Sequence, residues 1–269
     1  MKKTEHFKMA YTDRGQGVPI LFIHGYPLTS KIWDDQVLGL SDQFRCIAPD
    51  LRGYGHSYDL SIAYEGQPYS MEMLAEDCAN LLADLGIEEP VVISGLSMGG
   101  YISFAFYRRF SHRVRALVLS ATRAGADSPE ALSARDTAIA TATLRGEQPI
   151  IDAMLPKLLS PKTYTNNPEL VSHIRSIMKQ ASVKGIIGAL WAMKTRPDST
   201  ALLSSIACPT LIFSGADDQI MPSAEALTMK NNIPSAELVV IEDAGHLLNM
   251  EQPETYNQAM RRFLNSITF

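Results

Sequence analysis

Ser97 sits in the run Gly95-Leu96-Ser97-Met98-Gly99, with Gly100 behind it. A serine hydroxyl is a weak nucleophile until a base takes its proton. At ordinary glycine and serine frequencies a chain this long meets a G-x-S-x-G run by chance about one time in ten, so its surroundings must decide. The apolar Val91-Val92-Ile93 leads in, and residues 101–110 lead out with helical spacing. That is the strand–turn–helix setting in which a serine is held on a strained elbow. Glycines at 95 and 99 leave room for the turn. The helix N-terminus behind Ser97 favours negative charge as it develops. The base is expected to be a histidine oriented by a carboxylate. His246, in Glu242-Asp243-Ala244-Gly245-His246, follows one apolar run and precedes the last helix. Between it and Ser97, the run Gly215-Ala216-Asp217-Asp218-Gln219-Ile220 supplies an acid directly after another apolar run. On position alone, Asp217 and Asp218 are both open as that acid. The order serine, acid, histidine is one that such triads use.

For these residues to meet, their loops must share one edge of a sheet. Apolar runs predict strands over 18–24, 45–48, 90–94, 114–120, 209–214 and 237–241. Helical spacing predicts helices over 70–85, 99–110, 224–231 and 253–264. Strands alternating with helices imply an α/β fold, a mostly parallel twisted sheet with helices on both faces. The segment 5–13, the Arg14-Gly15-Gln16-Gly17 turn and the strand 18–24 suggest an antiparallel hairpin at the start. Residues 124–206 carry no strand signal; helices are expected near 129–144, 149–159, 168–179 and 183–194. The expected division is a core of 1–123 and 207–269, with 124–206 inserted as a helical cap over the sheet edge where ligands of open α/β sheets bind. A helical domain with no part in the site is the alternative. Met154 and Trp191 in the cap are expected to line the pocket, with Ile220 and Leu247, beside the acid and the histidine, at its floor.

Composition narrows the class. The chain has 269 residues, 46% hydrophobic and 20% charged, enough for a core that needs no disulfide staples. Its 24 Lys and Arg against 29 Asp and Glu give a net charge of -5, without the basic excess of a nucleic-acid binder. No apolar run is long enough to span a membrane. Met1-Lys2-Lys3 is followed by no apolar stretch, so a secretory leader is not expected. Cys46, Cys78 and Cys208 lie far apart and read as buried thiols of a reducing, cytoplasmic setting. Gly15-Gln16-Gly17 lacks the third glycine of a dinucleotide fingerprint, and no P-loop is present. His6, His112 and His173 have no partner at zinc spacing. Arg108, Arg109, His112 and Arg113 read as a solvated helix end rather than a phosphate site.

Five ordered motifs carry a resemblance over essentially the whole chain: His24-Gly25-Tyr26-Pro27, Asp50-Leu51-Arg52-Gly53-Tyr54-Gly55-His56-Ser57, the serine elbow, the loop ending in Asp218, and Gly245-His246. Together they resemble the α/β-hydrolase superfamily. The resemblance implies Ser97, Asp218 and His246 as the triad, because the family's G-x-x-D pattern puts the acid fourth. It implies an oxyanion hole from the backbone N–H groups of Met98, after the nucleophile, and Tyr26, after His-Gly. Pro27 has no N–H to give. His24, Asp50, Arg52 and His56 are expected to brace loops. Similar haloalkane dehalogenases and epoxide hydrolases carry Asp at the elbow, where this chain has Ser97. The start His24-Gly25-Tyr26-Pro27-Leu28, followed by Ile32-Trp33, resembles arylesterases and cofactor-free haloperoxidases; the elbow and Leu51-Arg52-Gly53-Tyr54-Gly55 resemble enol-lactonases. The expectation is a serine carboxylesterase acting on a small ester or lactone through an acyl-enzyme, with lactonase or peracid-forming side activity. No metal or organic cofactor is expected. A C–C bond hydrolase, or a receptor of the same fold that binds without turnover, are the other readings.

Overall fold

The computed structural model describes residues 7–57 and 68–267. His6 and the first residues of the expected opening strand lie outside them.

Seven strands form one sheet: β1 (Tyr11–Arg14), β2 (Pro19–Ile23), β3 (Arg45–Pro49), β4 (Val91–Leu96), β5 (Val114–Ser120), β6 (Thr210–Gly215) and β7 (Ala236–Ile241). Their order is β1-β3-β2-β4-β5-β6-β7. All neighbours run parallel except β1, which is antiparallel to β3. Every residue of β2, β4 and β6 is buried, so these strands read as continuous apolar runs rather than alternating ones. Their pleat still sorts the side chains. Leu21 and Ile23 of β2 face α2 (Met71–Asp84) and α3 (Met98–Phe110), while Ile20 and Phe22 face α1 (Asp34–Leu40) and α11 (Pro253–Ser266). The architecture is the expected α/β fold.

The expected hairpin does not form. β1 pairs with β3, not with β2, so the two flank β3 on opposite sides. The linking turn is pressed against the loop before β3, where a Cβ on Gly15 would lie 2.2 Å from the Phe44 carbonyl oxygen. Gly15 there adopts φ +87°, open to glycine and costly to most other residues. A glycine-rich turn between two apolar runs signals reversal but not the partner. The short α1 was also not anticipated.

Between β5 and β6 the chain forms α4 (Pro129–Arg145), α5 (Gln148–Leu158), α6 (Pro161–Asn166), α7 (Pro168–Met178) and α8 (Val183–Thr195). Ser128, Ser160, Asn167 and Ser182 each accept a backbone N–H of the first turn, and proline follows the first three of these caps. The caps of α4, α7 and α8, and Pro149 at the start of the uncapped α5, made four of the five readable. The fifth, α6, has only six residues, too few for a periodic signal. A small α9 (Ser223–Asn232) and α10 (Leu248–Glu251) follow β6 and β7. Cys46 and Cys78 are buried, Cys208 is half-buried, and all three are free thiols. Burial pushes the Cys46 and Cys208 thiols up to about 12 and about 11, so they carry little thiolate.

Candidate active site

Sheet order reverses between β2 and β4, and ligands of open sheets bind beyond the strand ends at such a point. Ser97 stands there, between β4 and α3, with φ 56° and ψ −112°. A non-glycine residue at positive φ costs on the order of 1–3 kcal/mol and persists only where its surroundings impose it. Here they do. The Ser97 N–H donates to the Ser120 carbonyl at 2.8 Å, and the Ser97 carbonyl accepts from Gly100 N–H at 2.9 Å and from the Thr122 hydroxyl at 2.8 Å. Any Cβ on Gly99 would lie 2.1 Å from the Ile23 carbonyl oxygen, which is why the elbow needs its glycines.

The loop after β2 closes on this elbow: a Cβ on Gly25 would lie 3.3 Å from the Ser97 Cβ. His24 holds the loop in place. Its Nε2 accepts the Leu51 N–H at 3.0 Å, so Nδ1 carries the proton and donates to the Gly25 carbonyl at 2.9 Å. Burial lowers its pKa to about 4, against the opposing pull of that hydrogen bond and of Asp50. A neutral imidazole spent on two backbone partners is a brace. Asp50 braces as well, accepting the N–H groups of Ser30 and His56 at 2.9 Å each. Arg52 forms a buried two-point pair with Asp77 at 2.8 and 3.0 Å.

His246 lies on the loop after β7 and Asp218 on the loop after β6. The His246 Nδ1 is 2.9 Å from the Asp218 Oδ2, and both side chains are 2% exposed. The other oxygen, Oδ1, accepts the Ile220 and Met221 N–H groups at 2.8 and 2.9 Å. Three donors thus fix the carboxylate. Asp217 is exposed, and its backbone, not its side chain, engages the loop through the Ala244 carbonyl at 2.9 Å. An imidazole set by a buried carboxylate suits general-base work on a hydroxyl.

Ser97, His246 and Tyr26 face one cavity of about 310 Å³, near the lower end of ordinary small-molecule sites. Its far wall is apolar and comes from the helices between β5 and β6: Ala138, Ile150, Met154, Leu190 and Met193. Ile220 and Met221 complete it from the loop that carries Asp218. The structure therefore places Met154 and Ile220 at the cavity and corrects two other expectations. Trp191 is half-buried on another face of α8, its ring lying 5.0 Å from the Lys194 Nζ. Leu190, one residue before it, and Met193, two after it, lie three apart on one face and line the cavity instead. Leu247 is fully buried in the core, its N–H tied to the Leu158 carbonyl at 2.9 Å. Sequence reasoning missed Tyr101, Arg123 and Arg135, which also line the cavity. Arg123 was findable, standing three residues past β5 at the edge that carries Ser97; Arg135, inside α4, carried no signal.

The backbone N–H of Met98 opens α3, and that of Tyr26 lies in the loop that Gly25 presses against the elbow. Among the described residues neither donates to a protein acceptor. None of the helices among the described residues is long and apolar enough to cross a membrane.

Comparison with known proteins bears on the fold. The chain is 32% identical to the AB hydrolase superfamily protein YisY of Bacillus subtilis, over 99% of this chain and 98% of that one. Among solved structures it is similar to a malate-bound thermophilic esterase from Thermogutta terrifontis: 41% identity, TM-score 0.89, 96% of this chain and 93% of that one. It is also similar to the enol-lactonase from Burkholderia xenovorans LB400, at 27% identity and TM-score 0.87, with 96% of each chain covered. Residues 18–253 match the family described as the alpha/beta hydrolase fold, and the chain belongs to that family.

Proposed function

We propose that the chain is a serine hydrolase of small carboxylic esters, with Ser97, His246 and Asp218 as its triad. The observation that carries this reading is the buried His246–Asp218 pair at 2.9 Å, facing the same cavity as a serine held at positive φ. His246 takes the Ser97 hydroxyl proton as the oxygen attacks the ester carbonyl carbon. Asp218 holds the imidazole with its proton on Nδ1 and stabilises the imidazolium. The N–H groups of Tyr26 and Met98 receive the oxyanion; one such donor is worth roughly 3–4 kcal/mol in the transition state. Collapse breaks the ester bond, and His246 returns the proton to the leaving alcohol. Water, deprotonated by His246, then attacks the acyl-enzyme, releasing the acid and restoring Ser97.

The helices between β5 and β6 serve as a cap whose apolar wall sets acyl-chain size. The likeness to an esterase and an enol-lactonase supports small esters and lactones as the substrate class. A lactone opens by the same two steps, its alcohol staying attached. Hydrogen peroxide in place of water would yield a peracid as side product.

Hydrolysis of p-nitrophenyl esters from acetate to decanoate tests this, in wild type and Ser97→Ala, beside labelling with a serine-directed fluorophosphonate. Turnover and labelling are expected in wild type, strongest for short chains, and both are expected to vanish in Ser97→Ala. Turnover surviving that substitution would overturn the serine mechanism. A folded, unlabelled and inactive wild type would leave a binding protein.

A further inference from the structure

We infer that the cavity holds a second, anion-binding subsite, built by Arg123, Arg135 and the Tyr26 hydroxyl, and that the substrate carries a free carboxylate away from the bond that breaks. The choice of an ester or lactone as that bond rests on the proposed function; the subsite rests on its own observations.

The first is a surplus of positive charge. Asp127 has a fully buried side chain and is shared by three guanidinium groups. Arg196, only 4% exposed, meets it at 2.7 Å, and its Nη1 and Nη2 also donate to the Met193 and Gly125 carbonyls at 2.8 and 2.9 Å, its Nε alone being left without a partner. Arg196 is thereby committed to structure. Arg123 touches Asp127 at 2.9 Å, and Arg135 bonds it through Nε. These two line the cavity with Ser97 and His246 and are 23% and 18% exposed. The other acid nearby, Glu225, stands 3.8 Å from Arg123. Lys157 adds a further cation to the cavity lining. Burial alone would push the Asp127 carboxyl up; the hydrogen bond from Arg135 and the charges of Arg135 and Arg196 hold it at about 2. It stays ionised and fixes the arginines in place.

The second observation is a pair of buried donors without acceptors. The Tyr26 hydroxyl, on a residue 7% exposed that lines the cavity, has no hydrogen-bond partner, and neither does the Arg123 Nε. Burial raises the Tyr26 pKa, with Arg135 acting on it in the opposite sense, so the hydroxyl keeps its proton to donate. Buried donors left unmet are costly. An all-carbon chain in this cavity would leave them so. A carboxylate satisfies them, since its two oxygens match the guanidinium fork and accept the phenolic O–H. The apolar wall of Ala138, Ile150 and Met154 suits the short methylene spacer between the two ends of such a substrate.

Length-matched pairs test the inference: monomethyl glutarate against methyl pentanoate, and monomethyl adipate against methyl hexanoate, followed by acid release at pH 7.5. In wild type, kcat/KM is expected to favour the half-esters at least tenfold. That ratio is expected to collapse toward one in Arg123→Met and in Arg135→Met. Sites built to bond a polar group discriminate strongly against analogues that lack it. A wild type that hydrolyses the neutral esters as well as the half-esters would overturn the inference while leaving the ester chemistry standing. A wild type that turns over neither would sink the ester reading instead. Binding then decides: adipate, and not hexanoate at equal ionic strength, is expected to raise the melting temperature of wild type by several degrees. Equal effects of the two would overturn the subsite. Neither wild-type arm depends on a variant that folds.

Discussion

Glu251 reaches across to Ser160: its Oε2 accepts the Ser160 N–H at 3.0 Å, while its Oε1 accepts the Gly245 N–H at 2.7 Å. Gly245 precedes His246, and Ser160 opens α6. One carboxylate therefore couples the candidate base to the helices that wall the cavity. Leu247 N–H on the Leu158 carbonyl and Gln219 on the Leu159 carbonyl, at 2.9 and 3.1 Å, reinforce the same seam.

Glu251→Gln keeps the shape but turns one acceptor into a donor facing an N–H. The expected result is roughly a tenfold fall in kcat with little change in KM, and about 1–3 kcal/mol lost in urea unfolding, the usual worth of a hydrogen bond to a charged group. An unchanged kcat would show that the histidine loop needs no such tether.

Asp218→Asn should lower kcat for a short ester by about four orders of magnitude, because the amide cannot hold the imidazole tautomer. Asp217→Asn, beside it and exposed, should stay within about twofold, since an isolated surface substitution changes little. Steady-state rates on one ester compare the two, and a reversed result would move the acid to Asp217.

Leu190→Ala and Met193→Ala should shift preference toward longer acyl chains, because both residues face the cavity. Each should also cost roughly 2–3 kcal/mol. Trp191→Ala should leave the chain-length profile unchanged, its ring lying outside. The p-nitrophenyl series, run on all three, reads this out.

His24 makes stability depend on pH. Its pKa of about 4 in the fold lies below the 6.5 of an ordinary imidazole. The unfolded chain therefore binds a proton over a window where the fold does not. Its contribution is complete above pH 6.5 and is lost as pH falls from 6.5 toward 4, roughly 3 kcal/mol in all. Urea unfolding of wild type and His24→Asn across that window should show a shallower pH slope in the variant. Equal slopes would place the effect elsewhere.

Much of this was legible in order and spacing. Strands buried on both faces announce themselves as apolar runs, and Ser128-Pro129 and Asn167-Pro168 mark helix starts. The three motif loops fall at one sheet edge because parallel strands all end there. What stayed hidden depends on azimuth and on distant partners. The pairing of β1 is decided by the loop before β3, far along the chain. Whether Leu190 or Trp191 turns inward depends on the rotation of α8 by a fraction of a turn. Arg123 and Arg135 meet only because Asp127 gathers them.

β5 and β6 are neighbours in the sheet, and Ala121 already donates to the Phe213 carbonyl at 3.0 Å. The two strands run parallel, so the chain leaves β5 at the edge that carries Ser97 and, after five helices, crosses back to the opposite edge to begin β6 at Thr210, beside Leu117. To the sheet, the excursion is a single crossover, and five helices supply far more chain than the crossing requires. Its length and sequence can change without disturbing the register of a single strand, while Ser97 and His246 keep their places beneath. Selection, or a protein engineer, can therefore redraw the chamber wholesale and leave the reaction centre as it was.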